Sequence, residues 1–177
     1  LYIHDQSARL DTMNCCLFDA GTVLKGGFEM GNVWYNEPKS LDTAFDVLGD
    51  IVLSTAAQQY GGFTVPEVDK ILGPYAEKSY VKHKEEFLKY ADPSWTGVEE
   101  KAEEYAMNKL RREFDQGWQG IEYKLNTVGS SRGDYPFVTV TMGLGTKRFE
   151  KMCNISLLEV HKGGQGQPGN KMPVLFP

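Results

Sequence analysis

The sequence is poor in the features that mark secreted, membrane-spanning and nucleic-acid-binding proteins. Its 177 residues include three cysteines, an odd number that favours a reducing cytoplasm over a disulfide-stapled exterior. Apolar runs stay well below the roughly 18 residues of a membrane-spanning helix, and no signal-peptide pattern opens the chain. A net charge of −5 gives no broad positive field for nucleic acid. We therefore expect a cytoplasmic protein with neither membrane nor nucleic-acid partners.

Short motifs with an unambiguous chemistry are also missing. No spacing of cysteine and histidine fits a zinc site, so no metal site is expected in these residues. The glycine-rich segment 164–171 lacks the Gly-Lys-Ser/Thr ending of a phosphate loop, and Pro168 removes a backbone donor, which predicts a mobile connection. The glycines around Phe28-Glu-Met30 predict a tight turn or a close approach of the backbone. His83 lies on an apolar stripe, where a packed histidine is commoner than a ligand.

Two adjacent cysteines, Cys15 and Cys16, are the most informative feature that the chain does contain. They lie in the apolar run 12–19, which predicts a buried strand over 14–19. Side chains alternate between the faces of a strand, so the two sulfurs point to opposite sides. A disulfide between neighbours is disfavoured because the bond requires Cα atoms about 5.5 Å apart. Two interpretations remain open: small buried hydrophobic side chains, or a thiol used in chemistry.

Apolar stripes at spacings of three and four residues predict three amphipathic helices. The first follows Pro38 and ends at a pair of glycines, at 61 and 62. A capping box of Thr64 and Glu67 is expected to open the second, and Pro74 to kink or split it. The third and longest helix follows the turn at 92–95.

The last part of the chain changes its apolar period from helical spacing to two. This change predicts strands over 137–141 and 155–160, separated by a short helix over Arg148–Cys153. Cys153 is interpreted as a packing residue. Strands that alternate with helices indicate an α/β architecture with parallel crossovers.

Eight segments, in order along the whole chain, resemble the anaerobic (class III) ribonucleoside-triphosphate reductases. They are Tyr2-Ile-His-Asp5, Asn14-Cys-Cys-Leu-Phe-Asp19, Phe28-Glu-Met-Gly-Asn32, Pro38-Lys-Ser40, Gln59-Tyr-Gly-Gly62, Pro74-Tyr-Ala76, Pro136-Phe-Val-Thr139 and Gly143-Leu-Gly-Thr146. Their order and spacing carry the resemblance, since no segment is decisive alone. The similarity corresponds to an internal fragment of the family's large catalytic subunit, and both ends look like cuts through a longer chain.

The resemblance implies an α/β fold. It is the first part of a ten-stranded α/β barrel of the ribonucleotide reductase and glycyl-radical enzyme type, with three long helices between the first and following strands. Residues 1–24 would hold the first strand, residues 37–128 a helical effector and dimer region, and residues 135–177 the following strands and a loop.

The resemblance also implies the anaerobic reduction of ribonucleoside triphosphates to deoxyribonucleoside triphosphates for DNA synthesis. In the family the chemistry uses a glycyl radical, a thiyl radical and formate as the usual reductant. The glycyl radical, installed by an S-adenosylmethionine iron–sulfur activase, and the zinc site lie outside these residues. We therefore expect the 177 residues alone to be inactive and the whole enzyme to be a homodimer.

Carried over residue by residue, the resemblance makes Cys15 the catalytic hydrogen-atom donor, with Cys16 as the alternative. Asn14 and His4 are assigned to the substrate pocket. An allosteric site for ATP or a deoxynucleotide is expected on the helices that follow the first strand. The residues assigned to it are Lys39 and Lys82, for the effector phosphate, and Asn36 and Asp50, where some relatives have Glu and Gln.

Two other functions fit the same residues. A formate-lyase-like glycyl-radical enzyme shares the barrel but has no triphosphate effector, so tight dATP or dTTP binding favours a reductase. A non-catalytic nucleotide-binding or dimerisation module could consist of the three helices. That module predicts unchanged deoxynucleotide production after Cys15→Ser, whereas a reductase predicts near-complete loss.

Overall fold

The computed structural model describes residues 15–59, 61–92, 94–127 and 135–177 of the chain. The helices are α1 (Ala20–Leu24), α2 (Leu41–Ala56), α3 (Val68–Tyr90), α4 (Val98–Thr127) and α5 (Arg148–Gly163). The strands are β1 (Cys16–Leu17), β2 (Phe28–Met30), β3 (Val33–Tyr35), β4 (Phe63–Val65), β5 (Val138–Val140), β6 (Gln165–Gln167) and β7 (Asn170–Met172). The predicted α/β class is confirmed. None of the helices in these ranges is long and apolar enough to cross a membrane.

Three of the strands form a parallel sheet in the order β1-β4-β5. Cys16 lies opposite Phe63, and Phe63 lies opposite Val138. Helices occupy both connections, because α1 and α2 lie between β1 and β4, and α3 and α4 lie between β4 and β5. The predicted parallel crossovers are therefore confirmed. The remaining strands form two antiparallel hairpins, β2–β3 and β6–β7.

The helices cover only one face of this sheet. Phe63, Val65 and Val138 belong to the hydrophobic core that the sheet shares with the helices. On the opposite face Leu17 is 78% exposed and Thr139 is exposed as well. The expectation of a buried strand over 14–19 is thus wrong in this chain, since β1 is shorter and buries one side only.

One part of the core is the contact between α2 and α4. Phe45 of α2 meets the rings of Phe114 and Trp118 edge to face, with centroids 6.2 and 5.1 Å away. Gly117 permits this approach, because a Cβ at that position would lie 2.2 Å from the Phe45 ring. The apolar stripes predicted for the first and third helices are confirmed by these contacts.

The second predicted helix begins later than expected. Thr64 lies in β4 instead of capping a helix, and α3 begins at Val68. Thr64 is held in the sheet because β4 pairs with both neighbouring strands. Glu67 is the N-cap, with a left-handed φ of 51° and no capping hydrogen bond from its side chain. The helix continues through Pro74 to Tyr90, so the expected split is wrong, and the alternative, a kink, stays a prediction.

A single helix, α5, replaces the short helix and the strand predicted over 148–160. Its buried apolar side chains recur at helical spacing: Phe149, Cys153, Leu157 and Val160. Ile155 and Leu158, on the other side, are 57% and 56% exposed. Because these two apolar side chains are exposed, the apolar residues of this segment do not follow a helical spacing. The segment therefore resembles a strand in composition, which explains the error.

Two further predictions need correction. Residues 164–171 contain most of the β6–β7 hairpin instead of a mobile connection. The region 37–128 is not purely helical, because β4 separates α2 from α3 and forms the centre of the sheet. The parallel sheet of the described residues has three strands, and the ten-stranded barrel stays a prediction.

Candidate functional site

The two adjacent cysteines lie in different surroundings. Cys16 packs against the core, and its sulfur accepts a hydrogen bond from Gln59 Nε2 at 2.9 Å. Cys15, directly before β1, is exposed. Strand side chains two positions apart share a face, so Cys15 lies on the same side as the exposed Leu17. Of this pair, Cys15 is therefore the thiol on the open face of the sheet.

The backbone around Cys15 is fixed by the sheet. Cys16 N donates to Gly62 O at 3.1 Å, and Phe63 N donates to Phe137 O at 2.8 Å. These bonds bring Gly62 and the exposed Phe137 to the level of the thiol. Gly62 permits the close approach of the Phe137 ring, because an added Cβ would lie only 3.2 Å from it. The open face thus presents a sulfhydryl beside a small residue and an aromatic ring.

The third cysteine, Cys153, has no access to solvent. It is fully buried on α5, and burial raises the pKa of its thiol far above the ordinary range, with the negative charge of Asp69 adding to the effect. A thiol that stays protonated in the core is chemically inert. The interpretation of Cys153 as a packing residue is confirmed.

The other two residues predicted for the substrate pocket cannot be placed. Asn14 and His4 lie outside the described residues. Their assignment stays a prediction.

A cleft of about 700 Å³ opens at the carboxyl ends of β1 and β4. Ligands of α/β proteins bind preferentially at this edge of a parallel sheet. Asp19 lines the cleft directly after β1, and Glu67 lines it directly after β4. Glu37 and three lysines complete the charged lining; the lysines are Lys25, Lys70 and Lys78. The cleft therefore has side chains of both charges beside the segments that follow two strands.

Hydrogen bonds and burial fix the charge states in this cleft. Bonds from Thr22 hold the pKa of Asp19 below its usual range, and a bond from Lys78 does the same to the pKa of Glu37. Lys78 Nζ lies 2.8 Å from Glu37 Oε1 and 4.8 Å from the centre of the Tyr75 ring. Burial raises the pKa of the Tyr75 phenol. Both carboxylates are thus charged and the phenol neutral near pH 7.

The four residues predicted for the allosteric site are not all brought together in the described structure. Asn36 and Lys39 line one cleft of about 480 Å³ beside the exposed Trp34. Asp50 points elsewhere, with its carboxylate 3.6 Å from Lys124 Nζ of α4. Lys82 is exposed on α3.

Lys82 nevertheless contributes to the field at the start of α2. Burial opposes ionisation of Asp42 there, but bonds from Ser40 and Thr43 and the charge of Lys82 leave the pKa of this carboxyl below its usual range. Lys82 therefore lies near the first turn of α2. That turn begins two residues after Lys39 in the sequence.

Sequence reasoning misses one buried carboxylate at the carboxyl edge of the sheet. Asp69, in the first turn of α3, is fully buried and accepts hydrogen bonds from backbone N–H groups of Gly143 and Gly145. The pattern Gly143-Leu-Gly145 after a strand was visible in the sequence, but its partner 74 to 76 residues earlier was not.

The fold assigns the chain to a class of proteins. A crystal structure of the anaerobic ribonucleotide reductase from Thermotoga maritima, in complex with dATP and CTP, matches it with a TM-score of 0.58. The match covers 89% of this chain and 25% of that one, at 13% sequence identity, so it concerns the fold alone. With a parallel sheet, helices on one face and a thiol on the other, the chain has the fold of part of a ribonucleotide reductase.

Sequence comparison identifies the family within that class. A family model described as anaerobic ribonucleoside-triphosphate reductase matches residues 1–177. Proteins of that name from Enterobacteria phage T4 and Escherichia coli K12 are 37% and 34% identical to the chain over 179 and 173 residues. The alignments cover 100% and 98% of this chain, but 28% and 23% of those relatives. The chain belongs to the anaerobic ribonucleoside-triphosphate reductase family and spans about a quarter of the length of these relatives.

Proposed function

We propose that these residues form the first part of the catalytic barrel of an enzyme that reduces ribonucleoside triphosphates to deoxyribonucleoside triphosphates without oxygen. Membership of the family supports the reaction. The observation that carries the assignment to this part of the chain is the exposed Cys15 on the face of the sheet that the helices leave open. The remainder of the enzyme would cover this face and enclose the substrate.

In this proposal Cys15 donates a hydrogen atom to the ribose. The acceptor would be a ribose radical, from which a thiyl radical elsewhere in the enzyme has already taken the 3′ hydrogen. The S–H bond of Cys15 breaks homolytically, a C–H bond forms at the sugar radical, and the unpaired electron passes to sulfur. The 2′ hydroxyl leaves as water, and formate supplies the two electrons of the net reaction as it is oxidised to carbon dioxide. A thiol suits this role because its S–H bond is much weaker than the O–H bond of an alcohol.

The sheet would hold the thiol in position and help to exclude water from the reacting groups. The bond from Cys16 N to Gly62 O fixes the backbone next to the thiol, so that little motion has to be frozen when the ribose arrives. A closed barrel would also keep water and oxygen away from the radical intermediates. Cys16 has a packing role in this proposal, since its sulfur faces the core and Gln59.

We assign effector binding to the cleft beside Trp34. Lys39 would contact a phosphate of ATP or a deoxynucleotide as a point charge, and Asn36 would contact another part of the same molecule. Asp50 does not line that cleft, and neither does Lys82. These two residues would reach an effector across an interface with a second subunit, which agrees with a homodimer. The glycyl radical, its activase and the zinc site are proposed for parts of the protein outside these residues.

The test is an anaerobic assay of the full-length protein with its activase, formate and the four ribonucleoside triphosphates. We expect deoxynucleotide products and tight binding of dATP or dTTP. The isolated 177 residues should give no turnover under the same conditions. Absence of product from full-length protein that carries its glycyl radical, or absence of effector binding, would contradict the proposal.

A further inference from the structure

Asp69 is the most heavily hydrogen-bonded carboxylate at the carboxyl edge of the described sheet. Its Oδ2 accepts from Gly143 N at 3.0 Å, Gly145 N at 2.9 Å and Asn154 Nδ2 at 3.0 Å. Its Oδ1 accepts from Lys70 N at 3.1 Å. A fully buried carboxylate is tolerated only when such donors replace its water. Asp69 therefore ties the start of α3 to the loop after β5 and to α5.

The loop is built to fit this carboxylate. Gly143 has a φ of +99°, which side chains other than hydrogen rarely allow. At Gly145 an added Cβ would lie 2.8 Å from Asp69 Oδ2 and 2.6 Å from Glu150 Cβ, so the backbone reaches the carboxylate only because this residue is glycine. The two flanking amides turn inward, and Leu144 between them is 65% exposed.

This loop adjoins the cleft at the ends of the strands. Glu67, which lines the cleft, donates its backbone N–H to Thr141 Oγ1 at 2.9 Å. Val68 N donates to Thr141 O at 2.9 Å, and Thr141 N donates to Val65 O at 3.0 Å. The segments that follow β4 and β5 are therefore joined into one rim. Asp69 lies behind that rim and fixes its outermost part.

We propose that Asp69 is a positioning residue for ribonucleotide binding, which holds the 143–145 loop so that Leu144 is presented to the substrate at the carboxyl edge of β4 and β5. The proposal rests on the reductase function proposed above. Asp69 does not touch the substrate in this account. It acts through the two glycine amides, whose release would leave the loop free to move away from the ribonucleotide.

The matched control is Glu122, a second fully buried carboxylate. It lies 3.0 Å from His161 Nδ1 and 2.9 Å from Gln165 Nε2, near the C-terminal end of α5 and about two turns beyond Asn154. Loss of its charge perturbs a buried hydrogen-bonded site without touching the rim. Glu122→Gln should therefore lower stability and leave substrate binding unchanged.

The experiment uses the full-length protein and two measurements. Hydrogen exchange by mass spectrometry reports on peptides that contain residues 141–147, and steady-state kinetics give KM and kcat for a ribonucleoside triphosphate. For Asp69→Asn we expect faster exchange in this segment and a KM raised about tenfold, with kcat changed less than about threefold, as for the loss of one charge-assisted hydrogen bond. Gly145→Ala changes the loop instead of the carboxylate, because the added methyl group would push the loop away from Asp69 and Glu150. It should give the same pattern even if Asp69→Asn folds poorly.

Each outcome distinguishes the two proposals. Faster exchange with an unchanged KM in both variants would overturn the role of Asp69 while the reductase function stands. Unchanged exchange in both variants would overturn it as well, because the loop would then not depend on the carboxylate. An equal rise of KM in Glu122→Gln would reduce Asp69 to a general stabilising residue. Wild-type protein without ribonucleotide reduction would overturn the proposed function itself, and the positioning role with it.

Discussion

Cys15 and Cys16 are adjacent in the sequence, but their thiols differ in exposure and in contacts. Cys16 Sγ already accepts a hydrogen bond from Gln59, and its surroundings are core side chains. Cys15 is exposed and has the small Gly62 at its level in the sheet. A group that must approach a substrate carbon atom needs such access. The proposal that Cys15 is the reactive thiol therefore rests on which face of β1 is covered.

Asp69 gives a prediction for the dependence of stability on pH. Burial opposes its ionisation, but the bonds from Asn154, Gly145, Gly143 and Lys70 outweigh this and leave the pKa of the carboxyl below its usual 3.8. A group whose pKa is lower in the folded than in the unfolded state stabilises the fold above the unfolded pKa, and this contribution disappears as the pH falls through the folded pKa.

We therefore expect Asp69→Asn to cost about 1–3 kcal/mol of unfolding free energy near pH 7, because one of the buried N–H groups loses its acceptor. The difference from wild type should shrink as the pH drops below about 4. Denaturant unfolding at several pH values measures it. A difference that stays constant down to the acid limit would mean that the Asp69 carboxylate is not preferentially stabilised in the fold.

Strand alternation predicted that the two sulfurs point apart, and the structure agrees. The alternation did not reveal which side the helices cover, because that depends on contacts such as Gln59 with Cys16, 43 positions apart. The same limit applies to Asp69. The sequence around Asp69 carries no signal of its burial, because its partners come from a loop and a helix more than 70 residues later.

At the scale of elements, the packing of α2 on α4 depends on one glycine. The Phe45 ring occupies the position that a side chain at Gly117 would take. Three of its ring atoms lie 2.2–2.5 Å from an ideal Cβ there. Gly120, three residues further along the same helix, has nothing within 4 Å of that position. The two glycines have the same intrinsic helix propensity, so a comparison between them isolates the packing term.

We expect Gly117→Ala to destabilise the protein by at least about 2 kcal/mol, since the ring and the helix must move apart. Gly120→Ala should instead stabilise it by about 0.5–1 kcal/mol through helix propensity. Thermal or denaturant unfolding of the two variants measures the contrast. Similar effects of the two substitutions would show that α2 and α4 do not pack as described.

Long, strongly periodic elements were predictable and short ones were not. The stripes of α2 and α4 gave their positions within a few residues because buried side chains recur on one side. The sequence failed at α5, where the exposed Ile155 and Leu158 obscured the period. It also failed at β4, where Thr64 resembled an N-cap although pairing with two strands holds it in the sheet.

On the scale of the whole molecule, helices cover one face of the parallel sheet and leave the other exposed. Helices bury Phe63, Val65 and Val138, whereas Leu17, Thr139 and Phe137 on or beside the opposite face are exposed. Exposed apolar side chains in such an arrangement indicate a surface that another part of a protein covers. The relatives are several times longer than these 177 residues, which agrees with a sheet completed by the rest of the chain.

The family could be inferred from short segments in the right order, while the roles of the individual site residues stay predictions. Cys15, Asn36 and Lys39 occupy positions that fit the proposed roles. Asp50 and Lys82 do not line the same cleft, because Asp50 lies beside Lys124 and Lys82 lies near Asp42. Their separation reflects the folding of α2 and α3, which no local motif encodes.

The most direct measurement compares Cys15→Ser with Cys16→Ser in the full-length enzyme, at equal glycyl-radical content measured by electron paramagnetic resonance. Cys15→Ser should lower deoxynucleotide formation about 100-fold or more, whereas Cys16→Ser should stay within about threefold of wild type, because each factor of ten corresponds to about 1.4 kcal/mol in the barrier. Serine at position 16 keeps an acceptor for Gln59, so the fold should tolerate it. Substantial activity in Cys15→Ser, or its loss in Cys16→Ser alone, would contradict a hydrogen-donating thiol on the open face of the sheet.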